Sequence, residues 1–186
     1  MKLFRSLHNL YMMMISSDPI EWFPVVDEDG NMIGKAPRHV CHDGISMLLH
    51  PVVHLHLFNS KGELFLQKRS ALKDIQPGKW DTSVGGHIAP EESVDDALKR
   101  EALEELGLKE FVPSFKGKYI WESSWERELV NSFSTITDII PSINTDEIEE
   151  GRFWRLQEIK DNLGKQVFTP NFEHEFTKFF LKIIKP

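Results

Sequence analysis

One stretch near the middle of the chain joins a glycine turn to an amphipathic helix with closely spaced carboxylates. Gly86 precedes the helix, Ser93 and Asp96 are typical of a helix start, and Gly107 is placed to end it. Within the helix, three carboxylates at i, i+3 and i+4 share one face: Glu101, Glu104 and Glu105. Such like charges repel one another unless a cation lies between them. The pattern therefore indicates a hard divalent cation such as Mg²⁺ or Mn²⁺.

The same stretch matches a longer fixed spacing, G-x5-E-x7-R-E-x-x-E-E-x-G. Its seven positions are Gly86, Glu92, Arg100, Glu101, Glu104, Glu105 and Gly107. A shorter glutamate cluster would be interpreted more simply as a solvated helix face, but a match at all seven positions is very improbable by chance. The stretch closely resembles the signature of the Nudix hydrolases. It departs from that signature at Ala102, where a larger aliphatic residue is usual, and this difference concerns packing rather than chemistry.

The resemblance implies metal-dependent hydrolysis of a diphosphate linkage. Metal bridging the diphosphate oxygens neutralises their charge and lowers the pKa of bound water. By this resemblance Glu101 and Glu105 are metal ligands, Glu104 is a third ligand or a base, and the Gly86 carbonyl completes the shell. The substrate would be a small organic diphosphate, for example a nucleoside diphosphate derivative.

The remaining signature residues would position the metal-binding groups. Glu92 and Arg100 are expected to hold the loop and the helix in place, and Arg100 lies four residues before Glu104, within reach of its carboxylate. The general base varies in this family and stays open among Glu104, Glu128, Glu147 and Glu150. The last two fall in an acidic segment, where a role in solubility is the simpler interpretation.

Basic residues near the end of a predicted strand are candidates for phosphate binding. They are Lys68 and Arg69, with Lys35 a further candidate earlier in the chain. Because alternate side chains of a regular strand face opposite ways, Lys68 and Arg69 cannot both reach the same site.

A second resemblance, to the type I isopentenyl diphosphate isomerases, covers residues 62–69 and 77–87. These enzymes share the Nudix fold and carry their catalytic cysteine in an N-S-V-C-G-H string. The matching string here is Thr82-Ser83-Val84-Gly85-Gly86-His87, so Gly85 replaces the cysteine. Glycine has no group that can protonate carbon, and isomerase activity is therefore disfavoured.

Residues that match the metal site of those isomerases are nevertheless present. They are His42, His50, His87, Glu126 and Glu128, a set that could bind Mn²⁺, Zn²⁺ or Mg²⁺. An alternative is that strand alternation places His50, His54 and His56 together on the polar side of a sheet, with no metal.

The order of predicted elements indicates an α/β fold. Strands are expected at 21–26 and 32–34, where they form a hairpin followed by a polar connection. Further strands are expected at 52–58, 63–68, 80–85, 116–122, 128–140 and 152–155, with an acidic loop at 141–150, and further helices at 157–162 and 171–184. Strands on both sides of a central helix suggest a mixed sheet between helical layers, in agreement with the α/β/α sandwich that the Nudix resemblance implies. The closing helix carries phenylalanines at helical spacing, which predict core packing.

Length and charge restrict the remaining possibilities. With 186 residues and a net charge of −7, the chain is expected to form a single domain over residues 18–186 and to bind nucleic acid and anionic membranes poorly. Residues 1–17 are interpreted as a loosely ordered leader. No segment approaches transmembrane length, and the single Cys41 fits a cytoplasmic protein. A homodimer is compatible with the sequence, and so is a catalytically silent Nudix module that only binds its ligand.

Overall fold

The fold begins with a hairpin whose turn is fixed by an aspartate. The computed structural model describes residues 20–71, 75–145 and 148–183, so the predicted leader lies outside them. Strands β1 (Trp22–Val26) and β2 (Met32–Pro37) pair antiparallel. Between them, the Asp27 carboxylate accepts hydrogen bonds from the backbone and side-chain amides of Asn31, and Gly30 adopts a φ of 94°. The predicted hairpin is confirmed.

One helix and four strands follow the hairpin, and the last of these strands contains Gly85 and Gly86. Helix α1 (Arg38–Cys41) succeeds β2, so the polar connection predicted after residue 34 is instead strand and helix. Strands β3 (Leu49–Phe58) and β4 (Leu64–Arg69) come next, as the sequence predicted. The single strand expected over 80–85 is two short strands, β5 (Trp80–Asp81) and β6 (Val84–His87).

The second half of the chain contributes three helices and three strands. They are α2 (Val94–Leu106), β7 (Ser114–Glu122), β8 (Arg127–Ile136), β9 (Ile148–Trp154), α3 (Leu156–Asn162) and α4 (Pro170–Phe179), followed by a 3₁₀ turn (Leu181–Ile183). Strand β8 ends four residues earlier than predicted. Strand β9 begins earlier, so Glu149 and Glu150 lie in a strand and not in an acidic loop.

The strands form a two-stranded sheet and a seven-stranded sheet. The larger sheet has the order β5-β4-β3-β8-β7, with β6 added to β3 and β9 added to β4. Strand β9 pairs antiparallel with β4, with Leu64 opposite Trp154 and Lys68 opposite Glu150. Strand β3 is buried along nearly its whole length, on both faces. No helix among the described residues is long and apolar enough to cross a bilayer.

The described part of the chain divides into two compact units. The first unit contains 20–52, 87–93 and 118–130, and the second contains 53–86, 94–117 and the described residues from 131 onward. In the first unit, one core cluster gathers Phe23, Ala36 and Cys41, and another gathers Val26, Leu49 and Leu129.

The second unit has an aromatic core on its closing helix. Phe172, Phe176 and Phe180 are almost fully buried with Trp154 and Phe168. The Thr169 hydroxyl begins the helix by accepting a hydrogen bond from the Phe172 amide. The prediction that the phenylalanine stripe packs in the core is confirmed.

Candidate functional site

The carboxylate helix forms where the sequence predicted it. Helix α2 ends at Leu106, and Gly107 adopts a φ of 65°. The Gly107 amide donates to the Leu103 carbonyl and the Leu108 amide to the Ala102 carbonyl, which completes the end of the helix. The apolar side is buried, as expected, with Leu98, Ala102 and Leu106 in the interior. This packing fixes the direction in which the carboxylates point.

The glycine turn leaves space that a glutamate carboxyl fills. A Cβ built on Gly86 would overlap the Glu101 carboxyl group. That carboxylate also accepts a hydrogen bond from Arg100, at 2.7 Å, and Arg100 reaches Glu104 at 3.2 Å, the contact predicted from their spacing. The need for glycine at this position therefore follows from the position of the Glu101 side chain.

Glu105 is the most enclosed of the three carboxylates. Its side chain is 7% exposed, and Oε2 accepts hydrogen bonds from the Gln67 amide at 3.0 Å and from the Gly85 backbone N–H at 3.2 Å. Glu104, by contrast, has a side chain that is more than half exposed. The sequence placed all three on one face, and the structure shows that this face runs from solvent to the interior. Gln67 was missed, although its position in a buried strand could have indicated it.

Two of the three carboxylates lie beside the glycine turn. Glu101 and Glu105 both lie against the glycine turn, and their oxygens are the donor type that Mg²⁺ and Mn²⁺ prefer. A hydrogen bond from Arg100 holds Glu101, and hydrogen bonds from Gln67 and Gly85 hold Glu105, as outer partners of metal ligands commonly do.

A separate histidine cluster lies in the first unit. One nitrogen from each ring of His42, His50 and His87 lies within 4.8 Å of the other two. The Nε2 atoms of His42 and His87 are 3.2 Å apart, and Glu126 lies 3.6 Å from His42 Nε2. Phe23 stacks on the His87 ring at 4.1 Å. The structure thus brings together four of the five predicted residues, which are His42, His50, His87 and Glu126.

Burial favours the neutral imidazole, the form that binds metals, at two histidines of this cluster, His42 and His50. Burial lowers the pKa of His42 to about 3, with Arg38 and His50 adding to the effect. Burial also lowers the pKa of His50, against the opposing effect of the Leu48 carbonyl. His50 Nδ1 bonds that carbonyl at 3.0 Å, and its buried Nε2 has no hydrogen-bond partner among the described residues. Glu128 is buried at the start of β8.

The alternative arrangement places three histidines of β3 on one side of a sheet without a metal. His50, His54 and His56 are all buried, and they divide between the two units. His54 and His56 contact a glutamate of the closing helix, Glu175, at 2.8 Å and 3.1 Å. Glu175 was missed by the sequence analysis, although a glutamate within a buried aromatic stripe is an unusual feature that could have indicated it.

The predicted phosphate-binding residues have partners of their own. Lys68 pairs with Glu149 at 2.7 Å, and Arg69 pairs with Asp81 at 3.1 Å. Lys35 lies over the Trp22 ring in the other unit. Their assignment as phosphate ligands stays a prediction.

The other predicted residues lie as follows. Glu92 accepts a hydrogen bond from the Ala89 amide at 2.9 Å within the loop that precedes α2. Glu150 is exposed in β9, and Glu147 lies outside the described residues. The general base therefore stays open at this point.

Comparisons with known proteins identify the family of this chain. A family model described as the NUDIX domain matches residues 48–172. An isopentenyl-diphosphate Delta-isomerase of Photorhabdus laumondii is 30% identical, covering 82% of this chain and 90% of its own. An uncharacterized Nudix hydrolase of Pseudomonas aeruginosa is 33% identical, and the match covers 70% of this chain and 76% of that protein.

Solved structures extend the agreement to the fold. A Deinococcus radiodurans protein has a TM-score of 0.75 at 20% identity and covers 86% of this chain and 99% of its own. A MutT protein of Methanosarcina mazei has a TM-score of 0.63 at 27% identity, and the match covers 74% of this chain and 96% of that protein. These neighbours confirm the predicted mixed α/β fold.

Proposed function

Because this chain belongs to the Nudix hydrolase family, we propose that it hydrolyses a diphosphate linkage in a small organic molecule with the help of Mg²⁺ or Mn²⁺. The observation that carries the proposal is the Glu101 carboxyl lying in the space that Gly86 leaves open. A nucleoside-diphosphate-like compound is the proposed substrate class. The enzyme is proposed to work in the cytoplasm, since its one cysteine, Cys41, is a buried free thiol.

The chain's own residues have distinct tasks in this proposal. Glu101, Glu105, Glu104 and the Gly86 carbonyl would hold the metal, which supplies charge neutralisation and a more acidic bound water. Arg100 orients Glu101 and Glu104 through a hydrogen bond to each. Glu92 braces the preceding loop through the Ala89 amide.

We further propose that the histidine cluster holds a second metal ion. The ligands would be His42, His50, His87 and Glu126, with Glu128 as a candidate fifth. Support comes from the buried Nε2 of His50, which has no hydrogen-bond partner among the described residues, and from burial of His42 and His50, which lowers the pKa of both rings. A buried polar atom without a partner is costly, and an ion would satisfy it.

A second candidate function is isomerisation of isopentenyl diphosphate, since several relatives carry that name. The cluster of three histidines supports it. Gly85 argues against it, because no side chain at that position can deliver a proton to carbon. A silent binding module is a third candidate, which the complete carboxylate set disfavours.

One assay separates these functions. The protein is incubated with Mg²⁺ or Mn²⁺ and a panel of nucleotide sugars, dinucleoside polyphosphates, coenzyme diphosphates and isopentenyl diphosphate. We expect phosphate-containing hydrolysis products from at least one compound, and Glu105→Gln should remove most of the turnover while the protein stays folded. Conversion of isopentenyl diphosphate to its dimethylallyl isomer would replace the hydrolase proposal with the isomerase. Tight nucleotide binding with no product would instead support the silent module.

A further inference from the structure

The second unit buries a charged group that the proposed function does not use. Glu175 of α4 is fully buried, and it contacts two histidines of β3. Burial alone would raise the pKa of the Glu175 carboxyl, but the neighbouring His56 and His54 rings lower it well below its usual range. The carboxylate is therefore ionised inside the core, an arrangement that is costly unless it performs a task or is fully compensated.

The two histidines contact this carboxylate in different ways. His54 Nδ1 makes a hydrogen bond to Glu175 Oε2 at 2.8 Å. His56 Nε2 lies 3.1 Å from Oε1, yet neither atom has a hydrogen-bond partner among the described residues, and the His56 ring packs against Phe180. Only His54 is thus oriented by Glu175 through a well-formed hydrogen bond.

The opposite edge of the His54 ring faces the glycine turn. A Cβ built on Gly85 would lie 3.5 Å from His54 Cδ2 and 3.6 Å from Nε2, which is ordinary van der Waals contact. The backbone N–H of the same Gly85 donates to Glu105 Oε2. His54 keeps 8% of its surface exposed, whereas Glu175 and His56 keep none. The Nε2 edge therefore lies beside the residue that also binds a proposed metal ligand.

We propose that His54 is the general base of the hydrolysis and that Glu175 is its positioning residue. This inference rests on the proposed function. As the water oxygen forms its bond to phosphorus, one water proton passes to His54 Nε2. The bridging phosphorus–oxygen bond then breaks, its electron pair stays on the leaving phosphate, and the imidazolium returns the proton to that phosphate. Glu175 keeps Nδ1 protonated, which leaves Nε2 as the acceptor, and it stabilises the imidazolium that forms.

The same residues permit a purely structural role, in which the histidines only neutralise a buried carboxylate. The titratable groups near the ring include Glu175 on the closing helix and His56 on the same strand, and Glu105 reaches the amide of the adjoining Gly85. If the role is structural, loss of His54 and loss of His56 should destabilise the fold to a similar extent. If His54 is the general base, only its loss should slow the chemical step.

The test compares His54→Ala and His54→Gln with His56→Gln as the matched control. For the His54 variants we expect kcat to fall by about 100-fold or more, with KM and the Mn²⁺ affinity from calorimetry unchanged. Added imidazole should restore part of the turnover of His54→Ala. His56→Gln should lower the melting temperature and leave kcat within about threefold, since general-base losses are about 100-fold and larger. Turnover of both His54 variants at the wild-type rate would overturn the inference, whereas absence of turnover in the wild type would overturn the proposed function itself.

A measurement on the unaltered, metal-free protein covers the case in which the His54 variants do not fold. Nitrogen NMR at about pH 9, above the usual histidine pKa of about 6.5, reports which ring nitrogen carries the proton. We expect His54 to be protonated on Nδ1, with Nε2 an acceptor, and Glu175→Gln to change that balance. A His54 ring protonated on Nε2 alone could not accept a proton there, and this result would overturn the inference.

Discussion

The glycine turn permits a sharp test with two adjacent residues. A Cβ on Gly86 would overlap the Glu101 carboxyl, whereas a Cβ on Gly85 would meet His54 at no less than 3.5 Å. Neither glycine has a positive φ, so alanine is compatible with the backbone at both positions. Gly86→Ala therefore acts through the displaced carboxylate alone, and Gly85→Ala is its matched control for folding and metal binding.

The magnitude follows from the displacement. To make room, Glu101 must move by about the radius of a methyl group, which breaks its 2.7 Å hydrogen bond from Arg100 and misplaces a ligand by roughly 1 Å or more, an error that costs about 100-fold in rate. Overpacking should also destabilise the fold by about 1–3 kcal/mol. Gly85→Ala should change stability by less than about 1 kcal/mol.

The assay measures Mn²⁺ affinity by calorimetry and unfolding by denaturant titration for both variants. We expect Gly86→Ala to lose at least about tenfold in Mn²⁺ affinity, the lower range seen when metal ligands lose their orientation, and Gly85→Ala to retain the wild-type value. If Gly86→Ala binds Mn²⁺ as tightly as the wild type does, Glu101 is not a ligand held in place by this turn. Equal losses in both variants would also refute the reasoning.

Two further predictions concern buried polar contacts. Gln67→Leu removes the 3.0 Å hydrogen bond to Glu105 and should weaken Mn²⁺ binding by about 10–100-fold. The control Gln157→Leu replaces an exposed glutamine and should leave the Mn²⁺ affinity unchanged. Equal Mn²⁺ affinities of the two variants in calorimetry would contradict this prediction. The pKa of Glu175 in the folded protein lies below its value in the unfolded chain. Its contribution to the free energy of unfolding is therefore present at neutral pH, and it is lost as the pH falls below about 4.3 and through the pKa of the folded state. Glu175→Gln should thus cost about 3 kcal/mol at neutral pH and show a weaker loss of stability in acid; parallel pH curves for the two proteins would rule this out.

The sequence predicted the parts of the molecule that depend on local spacing. The motif helix, its end at Gly107 and the contact between Arg100 and Glu104 all follow from helical periodicity and capping. The hairpin at Asp27 and the aromatic core of the closing helix follow from turn chemistry and amphipathic patterning. These features need no knowledge of distant contacts.

What the sequence did not reveal depends on contacts between residues far apart in the chain. Gln67 lies 38 residues before Glu105, and His54 lies 121 residues before Glu175. Strand alternation grouped His54 with His50, because spacing along a strand does not show which neighbouring elements cover each end. Strand β9 was predicted to start too late for the same reason, since its pairing with β4 determines where it begins.

Anomalous diffraction at the manganese absorption edge, from crystals soaked in Mn²⁺, tests most directly whether the carboxylate helix is a metal site. We expect an anomalous peak in contact with the Glu101 and Glu105 carboxylates, and its loss in Glu105→Gln. A crystal that shows Mn²⁺ at His42, His50 and His87 alone, with none at the helix, would contradict the proposed hydrolase.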